Sequence, residues 1–546
     1  MKGSLHVAAL ALISALSGRF LAAQTANSFT LSGVVVESTG NYPLNHILVT
    51  ISPTEHREQV RSCVTGSDGR FAFENLAAGK YALFAARRNS FPQAYRENES
   101  YSTAIAVGPG IDSEHVVFPL AASGSVSGTV FDEDGDPLRQ SQVWLFYKGI
   151  FSGRPQVTMA GSRMTDSTGT FHFGHLKPGN YLVGVQGRPW YSENLATMAP
   201  IGQQRADRAP ELDVAYPVTY YADTVDPAAA SPIAVAEGSE ATIRITLHPA
   251  PAIHVQITGF EPKPEGGLSV VAYTAGPGGF SIMTPTSIYA SDNGQELTGL
   301  APGRYALTFQ TVEQGKQKLL GTQPLDLSGN TSVDLTASTR TSLSGQVRLE
   351  GNAHLSDETQ LWLVPTSTGN PVQLEFGRDG TLRANDSFVP PGHYRLQLQG
   401  APGLYLKSIG VTGAKFSDGE LEISGSANIQ LSIAIAAGAT SIDGLAVSDG
   451  KPFAGAMVLL VPQDRERLDL IRRDQSDSDG TFTLIDAAPG RYTLVAIDNG
   501  RNLEYQNADV MKPYLRNGQT VDVPVGNGAP LKVTVQQRRA EAAGHF

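Results

Sequence analysis

One cysteine, Cys63, stands in the 546 residues of this chain. No internal disulfide can form, so each folded unit must be held by its own apolar core. A disulfide to a second copy is the other use open to the thiol. Long apolar runs are also missing. The N-terminal run, residues 5–16, is about a dozen residues against the roughly 20 that cross a bilayer, and no later stretch is longer. A concentrated positive surface is missing too: the net charge is −11 with both signs well mixed, which argues against nucleic-acid binding. Catalytic signatures are equally scarce. There is no HxxE zinc pair ("HREQ", 56–59, ends in Gln59), no HExxH, and the 11 histidines are scattered. The look-alike of a nucleophile elbow, "GSVSG" (124–128), has Val126 where the serine would stand. No catalytic residue, metal ligand or cofactor is expected, and the chain reads as non-enzymatic. A hydrolase assembled from loops of different units has no residue pattern in its favour.

What is present starts with "MKGSLHVAALALISALSGRFLAAQT". Lys2, the apolar stretch and Ala22-Ala23 follow the grammar of a secretory signal peptide, residues 1–23. An apolar first helix of a cytosolic protein is the plainer alternative. Gly 57 and Pro 33 fall short of a disordered or collagen-like composition and fit many tight turns.

One phrase recurs five times: "SDGRFAFENLAAGKYAL" (67–83), "STGTFHFGHLKPGNYLV" (167–183), "DNGQELTGLAPGRYAL" (292–307), "DGTLRANDSFVPPGHYRL" (379–396) and "SDGTFTLIDAAPGRYTL" (478–494). Its tyrosines, Tyr81, Tyr181, Tyr305, Tyr394 and Tyr492, are 100, 124, 89 and 98 residues apart. A recurrence at that period marks a structural module. After each tyrosine, apolar residues alternate, as in Tyr394-x-Leu396-x-Leu398, so each set lines one buried face of a strand. Asp68-Gly69 and Asp479-Gly480 read as hairpin turns. Pro-Gly reads as a second turn with its glycine left-handed. Units open on "LSGVVV" (31–36), "VSGTVF" (126–131), "LSGQVR" (343–348) and "IDGLAV" (442–447), while "IHVQITG" (253–259) departs from the pattern. The third unit also lacks the phenylalanine after Asn293-Gly294. Trp144 and Trp362, at matching places in second strands, are expected in cores. Cys63 aligns with Arg163 and Asp474 and is expected to lean toward solvent.

The fold class that follows is all-β: about five tandem antiparallel β-sandwich modules forming an elongated chain. Their bounds are 27–122, 123–250, 251–338, 339–439 and 440–537, with a tail at 538–546.

Calcium is a natural thought at "QSDSDGTFTLID" (475–486), but an EF-hand register puts Gln475 first and Asp486 last, where an acid and a bidentate Glu are needed. The acidic knot "FDEDGD" (131–136) has its glycine too early and reads as a solvated turn.

The "SGxV" start, "DxxGxF" turn and "PGxYxL" strand resemble the carboxypeptidase regulatory-like domain, most closely in units one, two and five. The resemblance implies a transthyretin-like, carbohydrate-binding-like sandwich in a multi-repeat exported bacterial protein, and little about function. Segments 216–247 and 502–523 look like the joining segments of such proteins. The zinc domain that accompanies the regulatory one in metallocarboxypeptidases has no room here. Collagen-adhesin B-type domains of the same group can carry isopeptide bonds, but the opening strands quoted above contain no lysine.

The candidate ligand site is the long excursion of unit two, roughly 187–232, with Trp190, Tyr191, Tyr216, Tyr220 and Tyr221 beside Arg188 and Asp223. Exposed rings of this kind stack on sugars, and long loops often carry function. The alternative is that these rings pack against the next module, as Phe91/Tyr95/Tyr101 and Tyr505/Tyr514 would in units one and five. The functional expectation is a non-catalytic exported binding or scaffold protein, periplasmic or at the cell surface, with carbohydrate the first ligand class. A passive stalk or adhesive spacer with protein partners is the alternative, and an accessory partner of a peptidase comes third. The oligomeric state is left open.

Overall fold

The computed structural model describes residues 28–539 apart from 89, 91, 193–208, 260–268, 292–293, 314–315, 336–341, 367–370, 378, 385–388, 390, 425–427 and 527. The expected leader, Phe91, Asn293, most of the tail and part of the unit-two excursion lie outside the described residues.

Five β-sandwiches follow one another along the chain, each with its own apolar core. In the first, the opening strand Phe29–Glu37 lies between Arg70–Leu76 and Val116–Leu120, and the facing sheet contains Arg61–Val64, Leu48–Pro53 and Gly79–Ala86. The central opening strands of the others are Gly124–Phe131, Ile253–Thr258, Ser342–Glu350 and Thr440–Ser448. The ladders are antiparallel except for one recurring parallel pair and, in unit five, a short parallel pairing of the tyrosine strand with the closing strand, Ala496 opposite Val535. Opening and closing strands pair in parallel in every unit, because the closing strand arrives from the facing sheet rather than through a hairpin.

The two repeated motifs prove to be cross-strand partners. Gly33 stands opposite Phe71, Gly128 opposite Phe171, Gly345 opposite Leu382 and Gly444 opposite Phe482. A Cβ on Gly444 would come within 2.2 Å of the Phe482 ring, and one on Gly33 within 2.0 Å of the Val116 carbonyl oxygen. In unit three the same rung pairs Ile257 with Gln295. The departures of that unit at both motifs are thus one exchange: a side chain on the opening strand replaces a ring on its neighbour, and the core is filled from the other side.

The turns differ from expectation. In units one and two the strands flanking this turn belong to different sheets, and in unit five they pair with different neighbours rather than with each other, so the turn is a corner; in units three and four they pair as a hairpin. Gly69, Gly169, Gly380 and Gly480 there have φ of +70° to +79°. The Pro-Gly glycines instead sit at φ +154° to +158°, nearer extended than left-handed, because each is the first residue of the tyrosine strand. What closes this turn is the tyrosine: the hydroxyls of Tyr81, Tyr181 and Tyr305 donate to the carbonyls of Ala77, Lys177 and Ala301, four residues back, at 3.0, 2.7 and 2.8 Å. This is the logic of a tyrosine corner. A bulge precedes it, with Asn75, His175 and Asp486 left-handed at φ +55° to +60°.

Trp144 and Trp362 are half-buried on outward positions, since Val143, Leu145, Leu361 and Leu363 take the inward ones. Cys63 faces the other way from the expectation: opposite Val49, it is half-buried against the first core, and burial pushes its thiol pKa up.

The modules are tandem in sequence, but the chain they form is folded back rather than drawn out. Units one and five, separated by more than 300 residues, make direct hydrogen bonds. Units two, four and five also meet. Complementary polar edges at these faces, invisible to a repeat-by-repeat reading, turn the array on itself.

Candidate functional site

The rings of the unit-two excursion divide between core, joint and solvent. Tyr216 is buried in the second core and Tyr221 packs half-buried against it. Tyr220 is buried among Phe146, Leu182, Val218 and Ile282, the last from unit three, and burial raises its phenol pKa. Tyr191 and Tyr216 both donate to Glu133. Burial opposes the charge on Glu133, but the two phenol donors outweigh it and hold the carboxyl below its usual range. Burial, with the Glu133 carboxylate next, pushes Tyr191 up to about 12. Glu133 belongs to the acidic knot, and its neighbour Asp132 is buried, accepting the amides of Asp134 and Asp136 at 3.2 and 2.8 Å. The turn is tied together at Asp132, while Asp134, Gly135 and Asp136 are exposed, as expected of a solvated turn. Trp190 alone is open, at 83% exposure, its ring edge-on to Tyr191 with centroids 5.7 Å apart. The five expected ligand residues therefore do not form one platform.

The most densely bonded surface lies between units one and five. Asp477 accepts Lys80 Nζ at 2.6 Å and the Ala104 amide at 2.9 Å. Beside it, the Ser478 amide donates to the Ala104 carbonyl and the Ser478 hydroxyl accepts the Ala106 amide. Gln475 donates to the Arg96 carbonyl and to the Thr103 hydroxyl. Arg473, 7% exposed, pairs with Glu99 at 2.6 Å and lies over the rings of Tyr101 and Tyr505, 4.5 and 5.4 Å from their centroids. Strand Arg472–Gln475 is the outer edge of its sheet, so unit one covers an edge that would otherwise be open. Repeat alignment hid this: Asp477 takes the place of Gly66, and nothing in the phrase distinguishes a turn acid from an acid that reaches another module.

A cleft of about 440 Å³ opens where units two, four and five meet. Its wall holds Arg154, whose guanidinium donates to Glu420, to Gln506 and to the Asp418 carbonyl. Arg395 shares Glu420 and Gln506 with it. Burial and the adjacent Arg395 charge lower the Arg154 pKa. The floor includes Tyr505 and Met511. Met511 belongs to helix Ala508–Arg516, an element the sequence reading passed over because Pro513 interrupts its pattern; the Asn507 cap and the Met511/Tyr514/Leu515 spacing were the available signal.

Among the described residues no cluster of three or more His, Cys, Asp or Glu side chains is placed to hold a metal ion. No helix among them is long and apolar enough to cross a membrane.

No protein-family model matches the chain. A stretch of 168 residues is 22% identical to Colossin-A of Dictyostelium discoideum, covering 28% of this chain and 1% of that protein, so the chain spans about a hundredth of its length. Among solved structures, the chain is similar to GBS52, the minor pilin of Streptococcus agalactiae, at 14% identity over 43% of this chain and 99% of that one, with a TM-score of 0.21. It is also similar to the shaft pilin SpaA of Lactobacillus rhamnosus GG at 11% identity, 43% and 99% coverage and TM-score 0.19. For BcpA, the major pilin subunit of Bacillus cereus, the values are 10% identity, 76% and 100% coverage and TM-score 0.15. The assignment of tandem sandwiches rests on the strands and registers above.

Proposed function

We propose that this chain is a non-catalytic, exported scaffold whose modules interlock and whose outer surfaces engage protein partners. The observation that carries the reading is where the aromatics go. Tyr220 is buried in the joint between units two and three, and Tyr101 and Tyr505 flank Arg473 between units one and five. Rings that would be needed for a ligand platform are used to fix modules against one another. Export rests on the signal-like residues 1–23, and the carboxypeptidase regulatory-like resemblance supplies the sandwich repeat without an activity.

Trp190 favours a second reading. A bare indole braced by Tyr191, which Glu133 holds in turn, is suited to stacking on a sugar or anchoring a protein partner. The two readings separate by pull-down. The chain without residues 1–23 is incubated with insoluble polysaccharides and, in parallel, with a cell-envelope protein fraction under cross-linking. The scaffold reading expects cross-linked protein and no polysaccharide capture. Polysaccharide capture lost in Trp190→Ala would replace it with glycan binding at the excursion.

A further inference from the structure

Two apolar features on different modules stand uncovered, and they match. The first is the outer face of strands Leu48–Pro53 and Arg61–Val64 in unit one. Leu48 stands opposite Val64 there, and the same rung of unit five pairs Met457 with Gln475. In unit five the rung is closed, at 1% and 3% exposure. Met457 packs with Leu503, Tyr505 and Met511 of its own unit, and Gln475 donates to the Arg96 carbonyl and the Thr103 hydroxyl of unit one. Two residues along the same strand, Arg473 lies over the Tyr101 ring, also of unit one. In unit one, residues 96–106 are committed to unit five, and Leu48 and Val64 stay 47% and 58% exposed. Val60, just ahead of the strand, is exposed as well. The next rung on that face, Thr50 and Ser62, is uncharged, its two hydroxyls bonded to each other at 3.1 Å. Arg61 turns off the face, donating to the Glu74 carbonyl and lying over Phe73. Unit two has Gln142 opposite Met164 at this rung, so only one side chain of that pair is apolar.

The second feature is Trp190. Of the large apolar side chains among the described residues it is the most exposed, held edge-on by Tyr191, which Glu133 ties down. Other excursion rings are taken up by neighbouring modules, Tyr101 by Arg473 of unit five and Tyr220 by Ile282 of unit three.

We infer that Trp190 of one copy docks on the Leu48/Val64 face of unit one of a second copy. This rests on the scaffold reading and names the protein partner as another copy of the same chain. The template is internal: unit five has this face closed by an excursion of another module that brings an aromatic ring, and a second copy brings just such an excursion with its indole bare. The face carries no charge that docking would strip of water, and a braced tryptophan is the side chain best suited to carry the energy of a small contact. Because indole and face are different surfaces, the contact is heterologous. Each copy that joins leaves a bare face at one end and a bare indole at the other, so copies add head to tail until the assembly closes on itself or runs on.

The test is analytical ultracentrifugation of the chain without residues 1–23, from about 1 to about 100 μM. Wild type should gain mass with concentration, past the dimer. Trp190→Ala and Val64→Lys, both at exposed positions, should each stay monomeric. Leu48→Gln, which copies the rung of unit two, should weaken association about tenfold. The deciding sample is Trp190→Ala mixed with Val64→Lys. One supplies an intact face and the other an intact indole, so the two should pair and stop at the dimer. Association of either single variant equal to wild type, or a mixture that stays monomeric, overturns the inference. A wild type monomeric throughout overturns it too. If that monomer still cross-links envelope proteins, the scaffold reading stands while the self-docking falls; if it captures polysaccharide instead, both fall.

Discussion

Phe171 lies directly across the ladder from Gly128, and a Cβ on residue 128 would sit 2.6 Å from the ring and 2.7 Å from the Ile243 carbonyl oxygen. The glycine is where it is because the ring and the closing strand are where they are. Gly128→Val should therefore destabilise unit two by about 1–3 kcal/mol or more through overpacking. The corresponding residue of unit three, Ile257, is 1% exposed, and Ile257→Gly there should cost about 3–5 kcal/mol through a cavity and added chain entropy. Urea unfolding of both variants checks the pair. Equal tolerance of glycine at the two rungs would contradict the exchange between ring and side chain.

The tyrosine corner makes a contrast between repeats. Tyr181 donates to the Lys177 carbonyl, whereas the buried Tyr492 hydroxyl has no hydrogen-bond partner among the described residues. Tyr181→Phe should cost about 0.5–1.5 kcal/mol, and Tyr492→Phe should be neutral or slightly stabilising. A loss at Tyr492 as large as at Tyr181 would count against this reading.

Much of this architecture could be read from the chain. The period of the tyrosines located five units, and the alternation after each tyrosine identified the inward face that Tyr394 and Leu396 now occupy. The rest was hidden for specific reasons. A glycine and a phenylalanine some 40 residues apart do not announce that they share a rung. An Asp-Gly turn has the same local chemistry whether it returns a strand to its neighbour or carries it to the opposite sheet. The candidate rings were visible as a group, but whether Tyr220 meets solvent or Ile282 depends on where unit three docks. Asp477 and Arg473 resembled ordinary turn and surface residues because their partners lie in another module.

Asp474 gives a pH signature at the interface between units one and five. Burial is the main cause that lifts its carboxyl to about 6, even though it accepts the Thr483 amide at 2.7 Å. A carboxyl raised on folding binds protons more readily in the native state, so its burial penalty is present above pH 6 and relieved as pH falls toward 4. The effect is on the order of 2–3 kcal/mol. Asp474→Asn keeps an acceptor for Thr483 and should gain that stability at pH 7.5, with little change at pH 4. Denaturant midpoints at the two pH values test this. A variant less stable than wild type at pH 7.5 would contradict it.

Glu99 and Arg473 form the most buried ion pair across the same interface. Glu99→Ala strands a guanidinium that is 7% exposed and should cost about 3–5 kcal/mol. The loss should appear as separation of unit one from unit five before either sandwich unfolds. Hydrogen exchange would then rise first at Ala104 and Ala106, whose amides bond Asp477 and Ser478. Uniform exchange over unit one would place the loss inside the sandwich instead.

The folded-back arrangement is the central claim, and small-angle X-ray scattering of the chain in dilute solution tests it most directly. A body in which unit five closes on unit one should have a radius of gyration of roughly 25–35 Å, near the compact limit for its length. Five sandwiches end to end, each about 35 Å long from strands of ten residues, would exceed roughly 45 Å. The first value, rising on Glu99→Ala, is the result expected. The second, unchanged by that substitution, would show that the modules are strung out and that the contacts between units one and five do not hold.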